Sequence, residues 1–207
     1  MAKVLHLHVQ APSKFGFKRV RKRKKKDPES HGQMNLFSAA PSSAARIVNL
    51  PSPVAPFELA LSLDEKGEVK AAEAYQKAIA AGDCLADAYC NLGILQSKAG
   101  RTDEAFDSFT KSLKHAPRHL ESHYNLANLY FEIGDLRLAR EHYEIAVKIE
   151  PRFSNIYFNL GLVLAMSEHY RPAVAAFSKY KELVSKNEAC KADELLASLE
   201  RTLRLSS

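Results

Sequence analysis

Asn91, Asn125 and Asn159 each precede a leucine and recur every 34 residues. A carboxamide carries one acceptor oxygen and two N–H donors. That set complements the N–H and C=O of an extended peptide residue, so a column of such side chains suits holding backbone without reading its sequence. The alternative is that each amide bonds within its own unit. The other chemistry-bearing residues are scattered. His115, His119 and His123 are four apart, but Pro117 falls inside the span and keeps them off one helical face, so a metal site is not expected there. His6 and His8 alternate in a short apolar stretch, and two histidines alone are a weak ligand set. Cys84 and Cys90 read as small packing residues rather than nucleophiles. No phosphate-binding loop, nucleophile elbow or H-E-x-x-H pattern occurs. Neither catalysis, a cofactor nor a metal is expected.

Composition narrows the fold. Hydrophobic residues make up 46% of the 207 positions, tryptophan is absent and only eight glycines occur, which favours helices over a turn-rich β fold. The net charge of +6 is unevenly placed. Residues 1–50 hold 11 Lys and Arg against 2 Asp and Glu, whereas residues 51–207 hold 19 against 22. The basicity therefore belongs to the first quarter of the chain, and the remainder is mildly acidic. Cys84, Cys90 and Cys190 lack C-x-x-C spacing, and this sparse, odd count suits a reducing compartment. VLHLHV is too short for a signal peptide and is broken by two histidines. No run of 18 apolar residues is present to span a membrane. A cytoplasmic location is expected.

Three segments align at the spacing of the asparagines. They are DAYCNLGILQSKAGRTDEAFDSFTKSLKHAP, ESHYNLANLYFEIGDLRLAREHYEIAVKIEP and NIYFNLGLVLAMSEHYRPAVAAFSKYKELVS. Gly93, Ala127 and Gly161 keep the step, as do Ala105, Ala139 and Ala173, and the aromatics Phe109, Tyr143 and Phe177. Small residues at fixed offsets let two antiparallel helices approach closely, with the aromatic filling the gap to the next helix. Gly100 and Gly134 suit the end of a first helix. Pro117 and Pro151 close the second helices, which they cannot continue. One such hairpin cannot bury its apolar face alone, so the units must stack.

This pattern resembles the tetratricopeptide repeat, with its L-G/A, A-x-x-x-F/Y and closing proline. The resemblance implies an all-α solenoid of helix-turn-helix units over residues 56–187, with repeats at 86–119, 120–153 and 154–187. A degenerate unit is expected at about 56–85, with Ala71, Tyr75 and Ala78 in phase. Gly67 comes one residue late there, which reads as a residue lost from the turn. The last unit departs at His169 and Ser185. Residues 188–207 read as an amphipathic helix with Leu195, Leu196, Leu199 and Leu203, expected either to cap the open end of the solenoid or to bind a partner. Residues 1–55 are expected to be a basic, disordered tail.

The resemblance also implies a concave groove lined by the first helix of each unit. Among its positions are Asn91, Asn125 and Asn159, with Tyr124, Asn128, Phe131, Phe158 and Leu162. The asparagines resemble the ladder by which some tetratricopeptide domains hold client backbones. Tyr124, Phe131, Phe158, Leu162 and Met166 are expected to expose apolar area, which marks an interaction surface. Lys98 is the only cation among the groove positions, so a clamp for acidic chaperone C-termini is not expected. The implied function is a non-enzymatic scaffold or adaptor for a protein or extended peptide.

Lys18, Arg19, Arg21, Lys22, Arg23, Lys24, Lys25 and Lys26 put eight cations in nine positions. Such a block suits non-specific contact with nucleic acid, or serves only to solvate a tail; a nuclear-import signal would look similar. Farther on, QMNLF resembles the bacterial sliding-clamp-binding peptide, with Gln33, Leu36 and Phe37 on its key positions and Met34 in character. The implied alternative function is a replication or repair accessory recruited to a clamp. Met34, Leu36 and Phe37 could instead dock on the chain's own solenoid, or the match could be chance.

Overall fold

A computed structural model of the protein describes residues 14–21 and 54–205. Gln33, Met34, Leu36 and Phe37, the cations Lys22, Arg23, Lys24, Lys25 and Lys26, and most of the expected tail lie outside the described residues. All regular structure among the described residues is helical: α1 (Pro56–Glu65), α2 (Ala71–Ala80), α3 (Leu85–Lys98), α4 (Thr102–His115), α5 (Leu120–Glu132), α6 (Leu136–Ile149), α7 (Ser154–Met166), α8 (Tyr170–Leu183) and α9 (Lys186–Leu205). The chain divides into two units, one holding residues 14–20 and 84–205 and the other residue 21 and 54–83.

The larger unit is a helical solenoid. Its hairpins are α3/α4, α5/α6 and α7/α8, each helix packs on its neighbour in sequence, and α9 packs on α8. The first helices also touch one another, α3 with α5 and α5 with α7, and so form one continuous inner row. Gly100 and Gly134 end α3 and α5 in the left-handed region, at φ +74° and +85°. In both turns the following N–H reaches back to the helix, Arg101 to the Gln96 carbonyl at 2.9 Å and Asp135 to Tyr130 at 2.9 Å. This pairing satisfies carbonyls that the helix leaves open. The third hairpin builds the same turn around Glu168 at φ +60°, with His169 N–H on the Leu164 carbonyl at 2.8 Å. Here a glutamate bears the conformational strain that glycine avoids elsewhere. At the far end Ala192, Leu195, Leu196 and Leu199 of α9 are buried, so this helix covers the terminal apolar face.

The smaller unit is the α1/α2 hairpin. Phe57 meets the ring of Tyr75 at 6.0 Å, and the Tyr75 hydroxyl donates to Asp64 at 3.1 Å. Both helices have 10 residues, against 13 or 14 in the six helices of the larger unit's hairpins. The expectation of a shortened turn is corrected. Residues 66–70 separate α1 from α2, whereas residues 99–101 separate α3 from α4. Gly67 lies two residues beyond the end of α1, as Gly100 does beyond α3; α2 begins late, at Ala71 itself, so the turn is longer and holds the fully exposed Val69.

His119, His123 and His142 serve the scaffold, while His6 and His8 lie outside the described residues. His119 caps α5 by accepting from Ser122 N–H at 3.1 Å, and its Nε2 meets Asp87 at 2.8 Å. His123 Nε2 lies 3.0 Å from the Pro117 carbonyl, which only accepts, so that nitrogen carries the proton. In the neutral pair His142 Nδ1 then donates to His123 Nδ1 at 3.0 Å. Burial holds the His142 imidazole down at about 4, which keeps it neutral near pH 7.

Phe109 and Phe177 sit over the small residue of their own hairpins, and Phe109 also packs in one cluster with Leu126 and Leu129 of the next unit. A Cβ added at Gly93 would lie 2.9 Å from the Phe109 ring, and one at Gly161 would lie 2.8 Å from Phe177. Both rings are fully buried and have no room to retreat. Gly161→Ala gains helix propensity of about 1 kcal/mol but forces overpacking that costs about 1–3 kcal/mol. A net destabilisation of about 1 kcal/mol is expected in urea unfolding, with part of it recovered by adding Phe177→Leu.

Candidate interaction groove

The inner row of α3, α5 and α7 brings Asn91, Asn125 and Asn159 into one column, and the column is occupied. Residues 14–20 of the same chain run along it. Asn159 Oδ1 accepts from Phe15 N–H at 2.8 Å, and its Nδ2 donates to the Phe15 carbonyl at 3.0 Å. Asn125 binds both polar groups of Lys18 in the same way, at 2.7 and 2.8 Å. Asn91 does so for Val20, at 2.8 and 3.0 Å. All three asparagines are fully buried. The segment therefore runs against the order of the repeats. Its rungs fall three and then two residues apart, whereas a straight strand repeats its edges every two residues. The backbone must rotate between Phe15 and Lys18, and the exposed Gly16 lies there with open space around it.

Neighbouring polar groups fix the amides. Asn159 Nδ2 has two hydrogens and four neighbours. The shortest contacts are the Asn128 Oδ1 at 2.9 Å and the Phe15 carbonyl at 3.0 Å, ahead of the Tyr124 and Tyr143 hydroxyls at 3.2 Å. The Tyr143 hydroxyl also donates to Asn128 Oδ1. Asn128 thus orients Asn159 rather than touching the segment. The Tyr124 hydroxyl donates to the Phe15 carbonyl at 3.2 Å, filling its second lone pair. Burial pushes the Tyr124 phenol up, so it stays a donor.

Side chains of the segment fill separate places. Phe15 meets Phe158 edge-on at 5.1 Å and Tyr180 at 5.9 Å, with Lys191 Nζ 5.0 Å from its ring. Phe17 stacks on Phe109 at 6.3 Å. Lys14 pairs with Glu132 at 2.9 Å. Lys18 lies between Glu121 at 3.7 Å and the face of Phe153 at 3.9 Å. Val20 is 2% exposed, in a cluster with Cys90, Ile94, Leu126 and Leu129. Burial there pushes the Cys90 thiol up to about 12.

Two expectations change. Tyr124, Phe158 and Leu162 were expected to expose apolar area, yet all are buried; Phe131 is half-buried, and only Met166 stays largely exposed. At Tyr124 and Phe158 the segment itself is part of the cover. Among the cations, Lys18 faces the groove rather than outward. Arg19 is half-buried, and Arg21, in the smaller unit, lines an opening with Glu58, Leu61 and Glu65. Reasoning from repeat positions missed Phe109, Phe153, Tyr180 and Lys191, which touch the segment from second helices, an inter-repeat turn and α9.

Six amide–backbone bonds at about 1 kcal/mol net each are worth about 6 kcal/mol. Ordering seven residues costs about 7–14 kcal/mol. The rungs alone do not hold the segment. Burial of Phe15, Phe17 and Val20, at about 1.5–3 kcal/mol for a fully buried side chain, supplies the difference. Removing the central rung by Asn125→Ala leaves the polar groups of Lys18 without partners, a loss of about 1–3 kcal/mol. Trypsin cleavage after Lys18 and Arg19 should then run roughly tenfold faster, with helix content by circular dichroism unchanged.

Family comparisons agree with this architecture. Tetratricopeptide-repeat family models match residues 86–119, 108–141 and 127–167. No curated protein matches the chain. Among solved structures, a tetratricopeptide repeat protein from Parabacteroides merdae is 26% identical, with 70% of this chain and 57% of that one covered at a TM-score of 0.61. MamA from Desulfovibrio magneticus RS-1 is 20% identical over 72% of this chain and 84% of that one, at 0.63. The first tetratricopeptide domain of Spaghetti, bound to the HSP90 peptide SRMEEVD, is 22% identical over 58% of this chain and 94% of that one, at 0.54. The fold recurs in 181 solved chains, so it does not by itself name a partner. Residues 86–167 of this chain carry tetratricopeptide repeats, and its fold is an α-solenoid of that kind.

Proposed function

We propose that the chain is a non-enzymatic protein-interaction scaffold whose inner groove holds an extended stretch of polypeptide. One observation carries this reading: each of Asn91, Asn125 and Asn159 binds both the N–H and the C=O of a single residue. Such contacts recognise extended backbone as a class. The Spaghetti domain, similar in fold, is bound to a peptide with three acidic residues. Here Glu121 and Glu132 are instead paired to lysines of the occupant. The favoured occupant is therefore basic. Contact with a polyanion would rest on Arg19, Arg21 and the cations at 22–26, since Lys18 is held in the groove.

The test is an array of immobilised ten-residue peptides probed with the full chain and with Asn91→Ala/Asn125→Ala/Asn159→Ala. The wild type should retain a set of peptides that the triple variant, still helical by circular dichroism, releases at least tenfold more readily. Indistinguishable retention by the two proteins would refute the groove reading.

A further inference from the structure

The three rungs fix a register, and each rung is flanked by a pocket of different chemistry. At the Asn159 rung, Phe15 is enclosed by Phe158 and Tyr180, a place for a flat ring. At the Asn125 rung, Glu121 and the face of Phe153 together select a long-stemmed cation. At the Asn91 rung, Val20 is sealed among Cys90, Ile94, Leu126 and Leu129, where a branched aliphatic fits and a charge does not. Between the rungs Phe17 stacks on Phe109, and ahead of them Lys14 meets Glu132. Gly16 touches nothing within 4 Å of its missing Cβ. Backbone bonds alone do not offset the ordering of the segment, so occupancy turns on the pockets.

We propose that the groove accepts partner segments of one pattern, cation–aromatic–x–aromatic–cation–x–branched aliphatic, and that residues 14–20 are an intramolecular copy of that pattern which a partner must displace. The inference rests on the groove reading above and gives it a ligand class: a basic, aromatic, extended peptide. Charge complementarity points the same way, for residues 51–207 carry a net negative charge and both groove carboxylates that the segment meets are paired to its lysines. An occupant on the same chain competes intramolecularly, at an effective concentration set by its connection and not by the concentration of the protein. External peptides should therefore bind the intact protein weakly.

The experiment titrates a fluorescein-labelled peptide of residues 12–22 against the full chain by anisotropy. It also uses two full-length variants that loosen the resident segment, Phe15→Ala/Val20→Asp and Lys14→Glu/Lys18→Glu. Thermal melts confirm that each is folded, and the second keeps the test open should the first not fold. Both variants are expected to bind the peptide at least tenfold more tightly than the wild type. On either variant, a peptide carrying Phe15→Ala or Val20→Asp is expected to bind at least tenfold more weakly than the parent peptide. Equal binding by wild type and variants would overturn competition in cis. Equal binding by a scrambled peptide, lost when the three asparagines are replaced, would overturn the pattern and leave the backbone-binding groove standing. A folded variant that binds no peptide would overturn the groove reading itself. Light scattering should find the wild type monomeric; a dimer that the loosened variants lose would place a second copy's segment in the groove and overturn the intramolecular arrangement.

Discussion

A side-chain amide can satisfy both polar groups of one extended residue only when it is held at the right depth and rotation. That constraint organises the larger unit of this protein. Asn91, Asn125 and Asn159 are buried, and each bonds to the N–H and C=O of one residue of the 14–20 segment. The repeat supplies the equal placement. The missing Cβ at Gly93 and Gly161 lets Phe109 and Phe177 close their hairpins, which sets where the first helices lie. The Asn128 carbonyl oxygen and the Tyr124 and Tyr143 hydroxyls then surround the last amide. Packing and recognition thus use adjacent residues of the same helices, the asparagine and the small residue being two apart in sequence.

The fold was readable from sequence because its determinants are local and recur. Gly100, Gly134, Pro117 and Pro151 act within one turn of where they stand, and the alanines and aromatics repeat at one offset. Where a unit departs from the pattern, reading weakened. The longer α1–α2 turn was taken for a shortened one, because the step from Gly67 to Ala71 was judged against a second helix that in fact begins only at Ala71. Glu168 in the left-handed region carries no residue-type signal at all.

The candidate site was legible only on one side. The asparagine column stands out by its 34-residue step. Its occupant does not, because the alternation of Phe15 and Phe17 is too short to mark a strand and runs into a block of cations that reads as solvated tail. Two signals were present and point together. The first quarter of the chain is strongly basic and the rest is mildly acidic, and KFGFKRV sets aromatics among lysines where a purely solvated tail has no use for them. The segment also explains why Tyr124 and Phe158 are covered rather than exposed: Phe15 bonds to one and packs on the other. Pockets supplied by second helices and by α9 escaped notice because the groove positions considered lie only on the first helices.

The central claim concerns individual amides, so residue-resolved hydrogen exchange of the full chain tests it most directly. The amides of Phe15, Lys18 and Val20 are bound by asparagine oxygens and should exchange at least tenfold more slowly than that of Gly16, with their protection lost in Asn91→Ala/Asn125→Ala/Asn159→Ala. Uniformly fast exchange from residue 14 to residue 20 in the wild type, with no change in the triple variant, would contradict the account.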